Sequence, residues 1–198
     1  MLPEVMGSRG RIGRPVTTRG TYRAVVVAPR VLVEGDSDRR ALEVLARRLG
    51  VACPEVVVMQ GITNLPAHLR DAGPVRLLHD AGESDYVARV LARVLVDVTP
   101  FVCDADLEDE LIRAVGVPGV LAVVEAQGER GRYERMAQQP AQRDRPDHAR
   151  LHRWLGARSG HKLTYAGLLA DAVPLDDVPA ALLGVLGVGS GSPASGRR

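Results

Sequence analysis

Hydrophobic positions along the chain have two textures: short unbroken apolar runs, and longer stretches where apolar residues return every three or four positions. "TYRAVVVAPRVLVEG" holds apolar runs up to Val33 that suit a buried strand. "EVVVM" (residues 55–59), "VRLLHD" (75–80) and "VTPFVC" (98–103) are three more runs of strand length. Between the first two, residues 37–49 set Ala41, Leu42, Val44, Leu45 and Leu49 at helical spacing, with Arg39, Arg40, Arg47 and Arg48 on the other side. Ser37 is the expected N-cap of that helix and Gly50 its stop. "QGITNLPAHLRDAG" reads as a turn and short helix, "SDYVARVLARVL" (84–95) as a helix, and "DADLEDELIRAVG" as a capped helix. Strand and helix alternate throughout, which predicts an α/β fold: a mostly parallel sheet of about four strands flanked by helices. In such sheets ligands bind beyond the carboxyl ends of the strands.

From Pro118 the pattern turns helical, through "PGVLAVVEAQG", "DRPDHARLHRWLGARSG", "KLTYAGLLADAV" and "VPAALLGVLG". The expected organisation is therefore an α/β core over residues 21–115 and a helical C-terminal extension over 116–187. Residues 1–20, rich in Gly, Arg, Thr and Pro without periodicity, read as a disordered leader. The Gly/Ser-rich stretch 188–198 reads as a disordered tail.

Composition narrows the class. No apolar run reaches the roughly 18 residues a membrane span needs, and the arginine-bearing start has no apolar core of a secretory signal. The two cysteines, Cys53 and Cys103, lie far apart in or beside apolar runs. They read as buried thiols of a cytoplasmic protein. A net charge of +2 hides a segregation: residues 34–110 carry 15 acids against 8 arginines, whereas residues 111–198 carry 12 bases against 8 acids. An acidic centre between basic ends suits either a metal-dependent enzyme acting on a polyanion or plain solvation of both faces. Of the 26 basic residues only Lys162 is a lysine. In so arginine-biased a chain, a retained lysine points to chemistry that arginine cannot copy, a compact charge on a flexible stem.

Three of the apolar runs end in carboxylates: Glu34 after the first, Asp80 after the third, Asp104 and Asp106 after the fourth, with Glu108 a few residues on. In a parallel sheet these arrive at one edge. Gathered there they repel and raise one another's pKa unless a cation offsets them, and hard divalent ions take such oxygen ligands. Stabilising a helix dipole at its N-terminus is the competing role, and it suffices for Asp36, Asp104 and Asp106. Gly35 directly after Glu34 would let a ligand approach the strand-to-helix turn.

"VLVEGDSDRRAL" resembles the first motif of the Toprim (topoisomerase–primase) domain, in the V-E-G-x-S-D-x-x-A-L form typical of OLD-family (overcoming lysogenization defect) nucleases. "PFVCDADLEDELIRAVG" resembles the later L-E-x-E-L segment of that family, and "RSGHKLTYAGLLADAV" its C-terminal lysine motif. The resemblance runs from about residue 31 to 186. It implies an endonuclease or nickase that cleaves DNA phosphodiesters with Mg²⁺ or Mn²⁺, two ions in all. It also implies roles: Glu34 as catalytic and metal-binding, Asp38 and Glu108 at a second ion, Asp80 as the first acid of a D-x-D motif, and Lys162 stabilising charge on the phosphate. The chain departs from the pattern at Gly82, where the second aspartate belongs, so Glu83 or Asp85 is the expected substitute. Full-length members carry an ATPase domain, and no G-x-x-x-x-G-K-[ST] loop occurs here, so a separate ATPase subunit is an expected partner. A primase-like or other phosphoryl-transfer enzyme on the same fold, and a non-catalytic module binding nucleic acid or the ATPase, remain the alternatives.

Other signals carry less. His148 and His152 share a helix face, but no further ligands lie near, so solvation or a phosphate contact is expected in place of zinc. Trp154 reads as a core anchor. Arg143, Arg145, Arg150, Arg153 and Arg158 suit either a DNA-backbone surface or a wet helix face. His79 is adjacent in sequence to Asp80.

Overall fold

The computed structural model of the protein describes residues 29–70, 72–158 and 160–189. The expected leader, the start of the first strand run and most of the expected tail lie outside these residues.

Four strands, β1 (Arg30–Val33), β2 (Val56–Val58), β3 (Val75–Asp80) and β4 (Val98–Cys103), form one fully parallel sheet in the order β2-β1-β3-β4. Around them lie α1 (Asp36–Leu49), α2 (Leu65–His68), α3 (Ser84–Leu91), α4 (Leu107–Ala126), α5 (Arg130–Ala137), α6 (Asp147–Leu155), α7 (His161–Ala172) and α8 (Ala180–Leu186). The strands lack an apolar–polar alternation because both sheet faces are covered. Val31, Val33 and Leu78 pack with α1, α4, α6, α7 and α8, while Leu32, Val75 and Leu77 pack with Leu65, Leu69, Val87 and Val90 of the α2–α3 side. The first of these clusters is continuous from β1 through α8, so the C-terminal helices complete the core of the sheet's larger face. Tyr165, Leu151 and Leu155 are fully buried in it. Trp154, 4% exposed, meets the Tyr133 ring edge-on at 5.8 Å between centroids, the core anchor its sequence position suggested.

Strand order locates the site. From β1 the chain crosses to β2 on one side, and from β3 it crosses to β4 on the other, so the connections diverge between β1 and β3. That divergence opens a crevice at the carboxyl ends of β1 and β3. Glu34 follows the last residue of β1 and Asp80 is the last residue of β3.

The structure departs from the sequence reading in several places. Gly35, not Ser37, caps α1: its backbone is extended, and its N–H donates to Asp38 Oδ2 at 2.8 Å. An acid at the third helical position receives an orphan N–H as well as a serine cap would. Cys53 is exposed, because the chain between α1 and β2 runs as a surface loop and the sheet begins only at Val56; Cys103 is buried as expected. The helix expected over residues 84–95 ends at Leu91, and Leu95 stands fully in solvent. Helix α4 bends where Gly116 takes a φ of 74°, two residues before Pro118, which a straight helix would not accommodate.

Candidate active site

At the β1/β3 crevice lies a pocket of about 250 Å³, lined by Glu34, Gly35, Ser37, Asp38, His79, Asp80, Glu108 and Lys162, with Leu78 and Leu107 at its base. The four acids and the lysine each arrive on a different element. Glu34 and Asp80 come off the parallel strands, Asp38 from the first turn of α1, and Glu108 from the first turn of α4. Lys162 comes from the first turn of α7. Helices α1 and α7 pack side by side along their length, so their N-termini meet over the sheet edge.

Glu83 does not line this pocket but stands beside it, at the end of the 3-10 turn that follows β3. Its carboxyl lies within hydrogen-bonding reach of Glu34 and feels Asp38 as well. Asp85, the other candidate for the missing aspartate, is exposed on α3. The 3-10 turn thus presents Glu83, one residue beyond Gly82, to Glu34.

Crowding shows in the ionisation of these groups. Burial, then the charges of Asp38, Asp106, Glu83 and Glu34, push Asp80 up to about 7. Burial, then the charge and hydrogen bond of Glu34, raise Glu83 to about 7 as well. Asp38 rises to about 6, mainly by burial and despite the Gly35 hydrogen bond, with Glu108 and Glu34 adding to it. Lys162 is the one cation in the pocket. Its Nζ donates to Glu108 Oε2 at 3.1 Å; burial works against its charge, but Glu108, Asp106 and Asp80 together hold its pKa above the usual lysine value.

These shifts dictate a stability profile. A carboxyl with a folded pKa above its unfolded value stabilises the fold below the unfolded pKa and ceases to as pH rises through the folded one. For Asp38, Asp80 and Glu83 that window runs from about pH 4 to about 7. In EDTA the Tm is expected to fall by several degrees between pH 5 and pH 8, since about 1 kcal/mol shifts Tm by roughly 2–4 °C at this chain length. Asp80→Asn is expected to flatten that fall and to raise the Tm at pH 8, which melting curves at fixed ionic strength will read.

Acids nearby are already occupied, and this separates them from the pocket set. Asp36 pairs with Arg39 at 2.6 Å. Asp104, Asp109 and Glu110 all bind Arg113, at 2.6, 3.2 and 3.1 Å. Asp106 caps α4 by accepting the Asp109 N–H at 2.9 Å. A positive φ of 71° at Ala105 makes the turn into that cap. Asp106 is therefore the cap of α4, Asp36 is a helix-entry acid in the first turn of α1 held by Arg39, and Asp104 is held by Arg113. Glu108, 5% exposed, is the acid of this helix end that turns inward.

The two histidines have a role that spacing did not reveal. His152 Nε2 meets Asp106 Oδ2 at 2.7 Å, and His148 Nε2 meets Asp109 Oδ1 at 2.6 Å. The pairs clamp α6 to the first turn of α4 on either side of Glu108. Their signal in the sequence was the four-residue spacing of both His148/His152 and, nearly, Asp106/Asp109, which matters only once the two helices are known to touch. Replacing both histidines by leucine is expected to cost about 2–4 kcal/mol by removing one hydrogen-bond partner from each of two part-buried acids, Asp106 keeping only the Asp109 N–H and Asp109 only Arg113. Glutamine at both positions, which retains an N–H at the Nε2 place, is expected to recover most of it in urea unfolding. His79 is buried beside the site, its Nδ1–H donating to the Asp80 carbonyl at 2.9 Å.

Of the five arginines expected to meet DNA, Arg143, Arg145, Arg153 and Arg158 are exposed, and Arg143 lies 3.7 Å from Asp144. Arg150 is turned into the 143–147 loop, holding Asp147 and the Arg143 carbonyl, the latter at 3.2 Å. Arg158 pairs with Glu129 at 3.5 Å.

Two acids at this crevice carry oxygens of the kind a hard divalent ion takes. Glu83 Oε2 and Glu108 Oε1 are buried carboxylate oxygens without a hydrogen-bond partner. A buried acceptor left unpaired is costly, and a cation would satisfy it. A Cβ on Gly35 would make only ordinary contacts, at 3.8 Å from Asp38 Oδ2 and Ser37 Oγ. Among the described residues no three His, Cys, Asp or Glu side chains already stand in a metal-holding cluster.

With this geometry in view, comparison with known proteins concerns the fold. No family model matches the sequence, and no curated protein matches it. Solved structures do. The C-terminal region of the Burkholderia pseudomallei OLD protein superposes with a TM-score of 0.59 at 20% identity, over 80% of this chain and 95% of that one. The C-terminal region of the Xanthomonas campestris pv. campestris OLD protein superposes with a TM-score of 0.57 at 23% identity, over 80% and 92%. The chain has the α/β fold of these OLD C-terminal regions. Among the described residues no helix is long and apolar enough to cross a membrane.

Proposed function

We propose that this chain is a Toprim-type, divalent-metal-dependent nuclease module that nicks or cleaves DNA phosphodiester bonds. The observation that carries the reading is the convergence of Glu34, Asp38, Asp80, Glu83 and Glu108 with one lysine at the strand-order crevice, two of their oxygens buried and unpartnered. Oxygen-only donors of this kind select Mg²⁺ or Mn²⁺. Glu34, Asp80 and Glu83 would hold one ion, Asp38 and Glu108 a second. Bound there, the ions would lower the pKa of water and offset charge on the phosphoryl oxygens.

The chain's own groups supply the rest. Glu34 at the crevice accepts the proton of the attacking water on its carboxylate. Lys162 exchanges Glu108 for a non-bridging phosphate oxygen, placing an N–H donor where negative charge grows. The buried walls of Leu78 and Leu107 limit water at the reacting centre. Arg143, Arg145 and Arg153 are available to the DNA backbone. A separate ATPase subunit is the proposed partner in the full system. The alternative of a non-catalytic module rested in part on Gly82, and the Glu83 carboxyl beside Glu34 weighs against that part.

Supercoiled plasmid incubated with the protein and Mg²⁺ or Mn²⁺ is expected to turn into nicked circles, and EDTA to prevent it. Metal binding without cleavage of plasmid, linear duplex, single-stranded DNA or RNA would reject the catalytic claim.

A further inference from the structure

Helix α1 carries four arginines, and three are committed within the protein. Arg39 pairs with Asp36 at 2.6 Å, Arg47 with Asp171 at 3.1 Å, and Arg48 donates to the carbonyls of Ala170 and Val173 at 2.9 and 2.5 Å. The Arg40 side chain has no hydrogen-bond or ion-pair partner among the described residues. It is nonetheless placed. Its stem lies across Gly167 of α7, where a Cβ would come within 2.9 Å of Nε and 3.2 Å of Cγ. The missing side chain of Gly167, itself buried and helical, forms the notch in which Arg40 sits.

That notch belongs to a groove of about 460 Å³ between α1 and α7, which also shows Thr164 and Gln127 and is closed at its far end by the Arg47–Asp171 pair. The exposed side chains of Thr164 and Gln127 likewise have no hydrogen-bond partner among the described residues. The near end adjoins the acid pocket: Arg40 lies three residues beyond Ser37 and Thr164 two beyond Lys162, both of which line that pocket. Three residues of helix advance about 4.5 Å, which brings the next phosphate of a strand within a long arginine's reach.

We infer that the α1–α7 groove is a second phosphate subsite, in which Arg40, with Thr164 and Gln127, receives a backbone phosphate of the DNA strand flanking the bond held at Lys162. This rests on the nuclease reading above. A planar guanidinium binds two phosphate oxygens at once, and an arginine already braced over a glycine gives up little freedom in doing so. The acids of the pocket would repel a polyanion, so a fixed positive charge one step along the groove also counters them.

The test is binding of a fluorescent 20-base-pair DNA duplex in Ca²⁺, across a salt series, with thermal melts confirming fold. Arg40→Gln is expected to weaken binding about five- to tenfold and to reduce the salt slope by roughly 0.9, the loss of one phosphate contact. Gly167→Ala keeps the net charge but evicts the arginine stem, and is expected to weaken binding in the same way. Arg70→Gln, an exposed arginine following α2 on the other sheet face, is expected to leave both unchanged. Wild-type affinity and slope in Arg40→Gln would overturn the subsite, as would an equal loss in Arg70→Gln. Since the Arg40 side chain is exposed, that variant decides the matter even if Gly167→Ala melts early. Equal binding of a polyglutamate peptide would overturn the phosphate assignment. A wild-type protein that binds no DNA would remove the nuclease reading itself, which Arg40→Gln alone would not.

Discussion

Glu34→Gln is expected to lose divalent-dependent plasmid nicking by about 10³-fold or more, within the range that loss of a positioned base produces. The substitution keeps shape and length, so the strand-to-helix turn at Gly35 is unaffected. What it removes is a proton acceptor and a ligand oxygen at the crevice. It also removes one half of the like-charge contact with Glu83. The metal-free variant is therefore expected to melt above wild type at pH 8 while its activity collapses. Activity lost together with stability would indicate a structural role for Glu34; activity retained would remove it from the reaction.

Lys162→Ala is expected to lower nicking about 10²- to 10³-fold, the cost of deleting one donor to a developing negative charge. Glu108 is left buried without its partner, so the metal-free variant is expected to be less stable than wild type, and Mn²⁺ to restore more stability than it does in wild type. Lys162→Arg is expected not to rescue activity. The planar guanidinium is fixed as a fork, whereas the pocket holds a point charge donating to one Glu108 oxygen at 3.1 Å. That outcome would explain why a chain with 25 arginines has a lysine here.

The arrangement that these variants probe was partly legible in the chain. Unbroken runs such as "VRLLHD" announced strands covered on both sides, and the acids ending them pointed to one edge. Strand order was not legible from periodicity, and it is the order that places Glu34 beside Asp80. Glu83 was visible only as one of two candidates, because a single 3-10 turn after β3 decides which of Glu83 and Asp85 turns inward. The clamp of α6 onto α4 was hidden for a different reason: His148 meets Asp109 and His152 meets Asp106 across 39 and 46 residues, and nothing local records such a contact. Arg40 was indistinguishable from its neighbours on the polar side of α1 until the partners of the other three were known. Cys53 misled because it lies beside the apolar run at 55–59, whose burial does not extend to it: the strand begins only at Val56.

The pocket's acids are the centre of the account, and calorimetric titration of Mn²⁺ into the metal-free protein at pH 7.5 or above tests them most directly. Two binding events are expected in wild type, one of them lost or strongly weakened in Glu83→Gln and the other in Glu108→Gln. A titration with no heat of binding in wild type, or one unchanged by both substitutions, would contradict the assignment of these five carboxylates as a divalent-metal site.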